Sequence, residues 1–309
     1  MIVQIYEIQD PRQAEGCLEA GVDHVGSVIQ GGGQWRQEGV WEVSRILEHT
    51  GVKHSIIPLF SKADDIYRAI DYYRPAFIHF CEELADGEGS ALDAGPILDL
   101  QVSVREKFPE IRIIRTIPVP EPGGPETASV ETAGKFEAVS DVILIDTWSG
   151  KPPVGGFIGI TGKTADREVS RKVVESVGIP VIQAGGLGPD NVYDTVMEVI
   201  PAGVDSCTGT NLTDGDGNRV RFKKDFGKVK DFVAGARRAA RELEELLRQE
   251  KAGLATARSE LDELEKALPA HSVKPSHFLR IEELEERAAA LERRVAVVER
   301  AVGPLFVKT

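Results

Sequence analysis

Apolar, β-branched runs recur along the first part of the chain, at Ile2–Ile8, His24–Val28, His54–Phe60, Phe77–Cys81, Ile111–Ile117, Val142–Asp146, Pro180–Ala184 and Gly203–Cys207. Between them lie stretches whose apolar residues return every three or four positions, such as Pro11–Ala20, Ala63–Tyr73, Arg167–Val177 and Val192–Val199. A continuous apolar run suits a strand buried on both faces, and a period near 3.6 marks one face of a helix. Eight strand candidates alternating with helical ones predict an α/β fold, a (β/α)8 TIM barrel, for which roughly 200–250 residues is the usual size. The competitor is a doubly wound Rossmann sheet. Its G-x-G-x-x-G fingerprint does not follow the first run, so the barrel is preferred.

From Leu243 to Val302 the pattern changes. Leu247, Leu254, Leu261 and Leu268 recur at every seventh position, with Leu243, Ala257 and Leu264 at the alternate apolar positions of the seam. After a break at Leu268-Pro269-Ala270-His271-Ser272, with Pro275 beyond it, the steps of three and four resume through Ile281, Leu284, Ala288, Leu291, Val295, Val298 and Val302. Two heptad seams joined by a proline-containing bend predict a C-terminal antiparallel α-helical coiled-coil hairpin, with a first arm of about 39 Å. The last barrel helix starts near Lys224 and meets no stop signal before this arm. The expected division is therefore residues 1–235 for the barrel and 236–309 for the hairpin. Glu250 interrupts the first seam, as a frayed spot or a register device. The seam has two uses, closing within the chain or pairing with a second copy as a homodimer.

Charge narrows the partners. With 37 Lys and Arg against 50 Asp and Glu the net charge is −13, which disfavours a phosphate backbone, so nucleic acid is not an expected partner. No apolar run approaches the roughly 20 residues needed to span a bilayer, so a membrane is not one either. Cys17, Cys81 and Cys207 lie far apart with no C-x-x-C, which argues against disulfides and structural zinc. The N-terminus MIVQIYEIQD lacks a basic region followed by an apolar stretch, and a reducing cytoplasm is the expected location. No metal and no organic cofactor are expected.

In this architecture chemistry belongs on the loops after the strands. After strand seven the chain reads Ala184-Gly185-Gly186-Leu187-Gly188, and after strand eight Cys207-Thr208-Gly209-Thr210. Glycines allow close backbone approach and free N–H groups hold anions, so Gly185, Gly186, Thr208 and Gly209 are the candidate phosphate cup. Gly162-Lys163-Thr164 lacks the earlier glycine of a nucleotide P-loop, since Phe157 stands there. Lys163 reads better as a loop cation reaching an anionic substrate. Asp146 closes an apolar strand, where it is either a strand cap or a carboxylate facing the pocket.

Ile145-Asp146-Thr147, Gly162-Lys163-Thr164, Ala184-Gly185-Gly186-Leu187, Pro189-Asp190-Asn191-Val192, Gly203-Val204-Asp205 and Lys224-Asp225 together resemble the phosphoribosylanthranilate isomerase family, a tryptophan-pathway (β/α)8 barrel. Glu19-Ala20-Gly21-Val22-Asp23-His24-Val25-Gly26 is similar too, so the resemblance spans roughly residues 1–235 and leaves out the hairpin. It implies an Amadori rearrangement of an aminoaldose phosphate to an aminoketose. An aspartic acid after strand six opens the furanose ring, and a strand-one cysteine removes the C2 proton. Asp146 matches the acid, and Arg36 lies within one residue of the arginine that holds the anthranilate carboxylate. The implied ligand is a phosphorylated sugar or an aryl-amine phosphosugar.

The base departs from the family. Its Lys-Ile-Cys-Gly is Gln4-Ile5-Tyr6-Glu7 here, and its Gln-Leu-His-Gly is His79-Phe80-Cys81-Glu82. Tyr6 takes the cysteine's place, and an ordinary phenol, with pKa about 10, is a poor base. Glu7, His79 and Cys81 are the substitutes. His79 has an ordinary pKa suited to proton transfer and is read as inward-facing, whereas pleating points Glu7 away from Tyr6's side unless the strand ends there. Gly31-Gly32-Gly33 before Trp35-Arg36 also departs from the family's proline-containing loop. The leading expectation is a phosphosugar isomerase of this type with an altered base or substrate. The alternatives are a non-catalytic phosphometabolite-binding barrel that scaffolds or signals through its hairpin, and a barrel lyase acting on a related phosphosugar.

Overall fold

The computed structural model describes residues 1–31, 34–150, 154–267 and 275–303. Strands β1 (Ile2–Ile5), β2 (His24–Gln30), β3 (Lys53–Leu59), β4 (Phe77–Phe80), β5 (Arg112–Pro120), β6 (Val142–Trp148), β7 (Val181–Gln183) and β8 (Gly203–Ser206) pair in sequence order as one closed parallel barrel. Closure is made by β8 on β1, in register from Ile2–Gly203 to Ile5–Ser206. The predicted barrel is borne out. β1 is shorter than its apolar run because Glu7 takes a left-handed backbone, φ 66°, and turns the chain out of the ladder.

The crossover helices are α1 (Pro11–Glu19), α2 (Glu38–Leu47), α3 (Ala63–Tyr73), α4 (Gly95–Lys107), α5 (Ser129–Glu137), α6 (Arg167–Ser176) and α7 (Val192–Val199). Asp10 caps α1 by accepting from Gln13 N, with Pro11 in the first turn, and Asp166 caps α6 in the same way. Two apolar layers follow from strand alternation. Val3, Ile5, Val25 and Val204 face outward against the helices, while Ile2, Phe77, Ile114, Leu144 and Ile182 fill the barrel floor. Above that floor the inward positions turn polar, with Tyr6, His79, Thr116, Asp146 and Asp205 continuing the same strand faces.

After β8 the chain makes a 3-10 turn at Thr208–Thr210 and then a two-stranded hairpin, β9 (Asn211–Thr213) with β10 (Arg219–Lys224), which the sequence pattern did not predict. Its turn is held by Asp214 Oδ1, which accepts from Asp216 N and Asn218 N. Helix α8 then runs unbroken from Phe226 to Lys266, so the division placed at residues 235 and 236 falls inside one helix. Gly235 interrupts its side chains because a Cβ there would sit 2.8 Å from Val192 Cγ1 of α7.

α8 and α9 (Pro275–Val302) pack antiparallel as the predicted hairpin. Lys251–Glu299 and Arg258–Glu292, each 2.6 Å, cross between the arms. Glu250 is buried in the seam and paired with Arg294 at 2.6 Å, which makes it a register device rather than a frayed spot. The seam closes within the chain. The bend at Leu268–Ser272 lies outside the described residues. Val298 and Ala301 of α9 join Leu243 in the apolar layer around β1, α1 and α7, so the hairpin's base is part of the barrel's outer core. No helix among the described residues is long and apolar enough to cross a membrane.

This joint sets a testable stability contribution. Leu243 is fully buried where both arms meet the barrel, and Leu243→Ala should cost about 2–5 kcal/mol through lost burial and the cavity left behind. Urea unfolding should show a lower midpoint at unchanged slope, and a midpoint equal to wild type would show that the joint carries no stability.

Candidate active site

The C-terminal strand ends surround a cavity of about 600 Å³, open mouth included. The β6–α6 loop leans over it and is fastened to the end of β4: Ile158 N donates to Cys81 O at 2.7 Å and Glu83 N to Gly156 O at 3.0 Å. Gly159, at φ 117°, permits this approach, since a Cβ there would lie 2.7 Å from Asp146 Oδ2. Val28, Ile57, Leu59, Leu144, Phe157 and Ile160 give the cavity a largely apolar wall.

Two carboxyl groups face it from β6 and β8. Asp146 Oδ1 accepts from Thr147 N at 2.7 Å, and burial pushes its pKa up to about 6 against that hydrogen bond. Asp205 is buried, and its Oδ1 has no partner among the described residues. Burial first, and the neighbouring Asp146 charge second, push Asp205 up to about 8. Asp205 was missed in the sequence, although it stands near the end of its strand as Asp146 does.

On β1 and β4 the expected roles change. Tyr6 Oη lies 2.6 Å from both Ser55 Oγ and His79 Nδ1, and His79 Nε2 lies 2.7 Å from Thr116 Oγ1. Burial, with a smaller contribution from Arg115, lowers His79 to about 3, so it is a neutral ring with both nitrogens occupied. Tyr6 is pushed well above its ordinary value by burial, and Cys81 likewise by burial and then Glu82. His79 does face inward, but its ordinary pKa does not survive there, because this site removes water from the charged form. Gly26 makes room for the phenol: a Cβ would meet the Tyr6 ring at 2.2 Å. Glu7 is brought to the cavity, since its strand ends at Ile5, and its Oε1 accepts from Arg221 Nε at 2.8 Å and also from Arg221 Nη2. No local signal marks Arg221, which stands 214 residues away on β10.

The glycine loops pack as one unit. Gly185 and Gly186 are left-handed at φ 82° and 58°, and a Cβ would lie 2.3 Å from Thr147 Oγ1 in the first case and 2.6 Å from the Lys163 carbonyl carbon in the second. A smaller cavity there is lined by Thr161, Gly162, Gly185, Gly186 and Thr208, and it shares Asp146 and Asp205 with the larger one. The Gly185 and Gly186 N–H groups donate to no described residue. Gly209 is set behind this wall, where a Cβ would come within 1.9 Å of Leu187 O. Its role is close packing of loop eight on loop seven.

The two predicted cations lie elsewhere. Lys163 Nζ donates to Glu121 Oε1 at 2.8 Å on the outside, and Lys163 contributes its carbonyl to Thr147 Oγ1 instead. The Arg36 guanidinium stacks 4.7 Å from the Trp35 ring and 5.3 Å from Tyr72, beside a shallow groove with Gln30, Gln34 and Gln37. Two residues of the adjoining glycine run, 32 and 33, lie outside the described residues. Among the described residues no group of three or more His, Cys, Asp or Glu is arranged to hold a metal ion.

No protein-family model matches the chain. Over 139 residues it is 37 % identical to the N-(5'-phosphoribosyl)anthranilate isomerase of Methanocella arvoryzae, covering 45 % of this chain and 57 % of that one. The chain thus spans about half the length of the relatives it matches at that level. A longer alignment, 237 residues at 26 % identity, reaches 76 % of this chain and 97 % of the isomerase from Methanothrix thermoacetophila. The solved phosphoribosylanthranilate isomerase of Thermotoga maritima superposes with TM-score 0.57 at 22 % identity, over 77 % of this chain and 99 % of that one, which shows the fold. The resemblance read from the sequence is borne out by these relatives.

The buried carboxyls make stability depend on pH. Asp205 has a folded pKa of about 8, above that of an unfolded carboxyl, so its contribution is complete below about pH 4 and lost as pH rises through 8. Asp205→Asn cannot ionise. Its stability relative to wild type should grow by on the order of 1–3 kcal/mol between about pH 4 and about pH 9 in urea unfolding, and a difference that stays flat over that range would contradict the burial argument.

Proposed function

We propose that the chain is a phosphosugar isomerase of the phosphoribosylanthranilate isomerase type, converting an N-substituted aldosylamine phosphate into a 1-amino-ketose phosphate by an Amadori rearrangement. The observation that carries this reading is the position of Asp146, which lines both the glycine cup and the larger cavity. A phosphate seated on the free N–H groups of Gly185 and Gly186, with the Thr208 hydroxyl beside it, puts the attached sugar against that carboxyl. The nitrogen substituent then extends into the apolar cavity.

The chemistry needs a proton donor first. Asp146 gives its proton to the ring oxygen as the C1–O bond breaks, and the nitrogen lone pair forms the C1=N bond. A carboxyl with pKa about 6 still holds a proton in a useful fraction of molecules near neutrality, which an ordinary aspartic acid does not. Loss of the C2 proton gives an enaminol. Its O–H returns a proton to Asp146 as C1 is protonated, so no cofactor is consumed. Phosphate binding remote from the reacting carbons holds them in place for these transfers. Tyr6 and His79 shape the cavity wall in this scheme, and Arg36 and Lys163 have no assigned contact.

Phosphoribosylanthranilate and ribose 5-phosphate are the probes. Ribose 5-phosphate should bind in calorimetry, and phosphoribosylanthranilate should be isomerised. Asp146→Asn should lower kcat/KM by about 10²–10⁴-fold while ribose 5-phosphate affinity stays within about threefold. The wild-type rate should fall above about pH 6 as Asp146 loses its proton. Binding without turnover would favour the non-catalytic alternative, and an empty cup would remove the reading altogether.

A further inference from the structure

Glu7 combines three features that packing alone does not explain. Its backbone is left-handed at φ 66°, at the position where the resembled family carries glycine. That conformation is unfavourable for a residue with a Cβ, and strained positions of this kind gather at functional sites. The side chain is 1 % exposed and forms part of the wall of the larger cavity. Within the carboxylate the two oxygens differ. Oε1 takes both contacts from Arg221, and Oε2 is buried with no partner in hydrogen-bond geometry among the described residues, while the Cys207 thiol stands beside the carboxylate.

We propose that Glu7 is the general base that removes the C2 proton, and that Arg221 is the positioning residue that holds it; this rests on the isomerase reading above. β1 and β6 are three strands apart around the barrel, so Glu7 and Asp146 reach one cavity from different sides. Acid and base therefore work on neighbouring atoms without neutralising each other. In the step, Oε2 takes the C2 proton, the C2–H electron pair becomes the C1=C2 bond, and the C1=N pair returns to nitrogen. Glu7 then gives its proton to C1 as the enol O–H returns one to Asp146. Both carboxyl groups end as they began.

Tyr6, which fills the place of the family's base, has its oxygen engaged by Ser55 and His79, and burial pushes its pKa well above the ordinary phenol value, which disfavours it as a base. Arg221 is fixed in turn by the β9–β10 hairpin. Gln13 of α1 donates through Nε2 to Phe222 O at 2.5 Å, and its Oε1 accepts from Lys224 N at 3.0 Å. The hairpin is thus tied to the helix that follows Glu7. Around Glu7 stand Arg221 on β10, Asp205 and Cys207 at the end of β8, and Lys224, whose Nζ donates to Cys207 O. Asp146 and His79 complete the ring from across the cavity.

The test uses the full chain with phosphoribosylanthranilate, and ribose 5-phosphate calorimetry as the check on folding. Glu7→Gln should lower kcat by at least about 100-fold and retain ribose 5-phosphate affinity within about threefold. Arg221→Gln should reduce kcat by a smaller factor while KM stays within about threefold, because the base is present but no longer held in place. Arg221→Lys should recover part of the lost kcat. A Glu7→Gln rate within about threefold of wild type overturns the proposal and leaves the isomerase reading standing. A kcat of Arg221→Gln within about twofold of wild type also overturns it, and decides the matter if Glu7→Gln fails to bind ribose 5-phosphate. Absence of turnover in the wild-type chain overturns the isomerase reading and this proposal with it.

Discussion

Pairing of β8 with β1 closes the barrel, and almost every feature of the site depends on that closure. It brings the ends of all eight strands to one mouth and removes their polar side chains from bulk water. Groups that would be ordinary in solution are forced there into one of three states. They can be neutral, as His79 is. They can be hydrogen-bonded, as Tyr6 is, or held as one side of an ion pair, as Glu7 and Glu82 are. Asp146 and Asp205 form no ion pair among the described residues, and burial makes them hold their protons to higher pH.

The same closure explains the glycines. Loops six, seven and eight meet in a space too tight for side chains at Gly185, Gly186 and Gly209, so backbone faces backbone. That arrangement turns backbone N–H groups toward the mouth and keeps the side chain of Lys163 outside. Lys163 illustrates the division, with its carbonyl in the loop packing and its ammonium on Glu121. An anion held on the proposed cup would meet preorganised dipoles rather than a flexible charge.

The hairpin follows another logic. Its seam is satisfied within the chain, its arms are crossed by ion pairs, and Glu250 with Arg294 fixes their register. The far end of α9 returns to the barrel, where Val298 and Ala301 cover α8 and its neighbours. The hairpin and the barrel therefore share a stretch of core.

Much of this architecture was legible in the order of residues. The alternation of apolar runs with helical periods determined the barrel, the limits of α3 and α7 matched the pattern, and the heptads determined both arms of the hairpin. Paired glycines after strand seven, the single Gly209 after strand eight and an aspartate near the end of strand six pointed to the C-terminal end of the barrel, where both cavities lie. These signals are local, because a period or a turn is written in neighbouring residues. Tertiary structure alone decided the rest. It set the neutral state of His79, the turn of Glu7 into the cavity, the partnership of Glu7 with Arg221 across 214 residues, the opposition of Asp205 to Asp146, and the outward course of Lys163 and Arg36. Each depends on burial and on which charge lies nearby, and both quantities come into being only when distant segments of the chain meet.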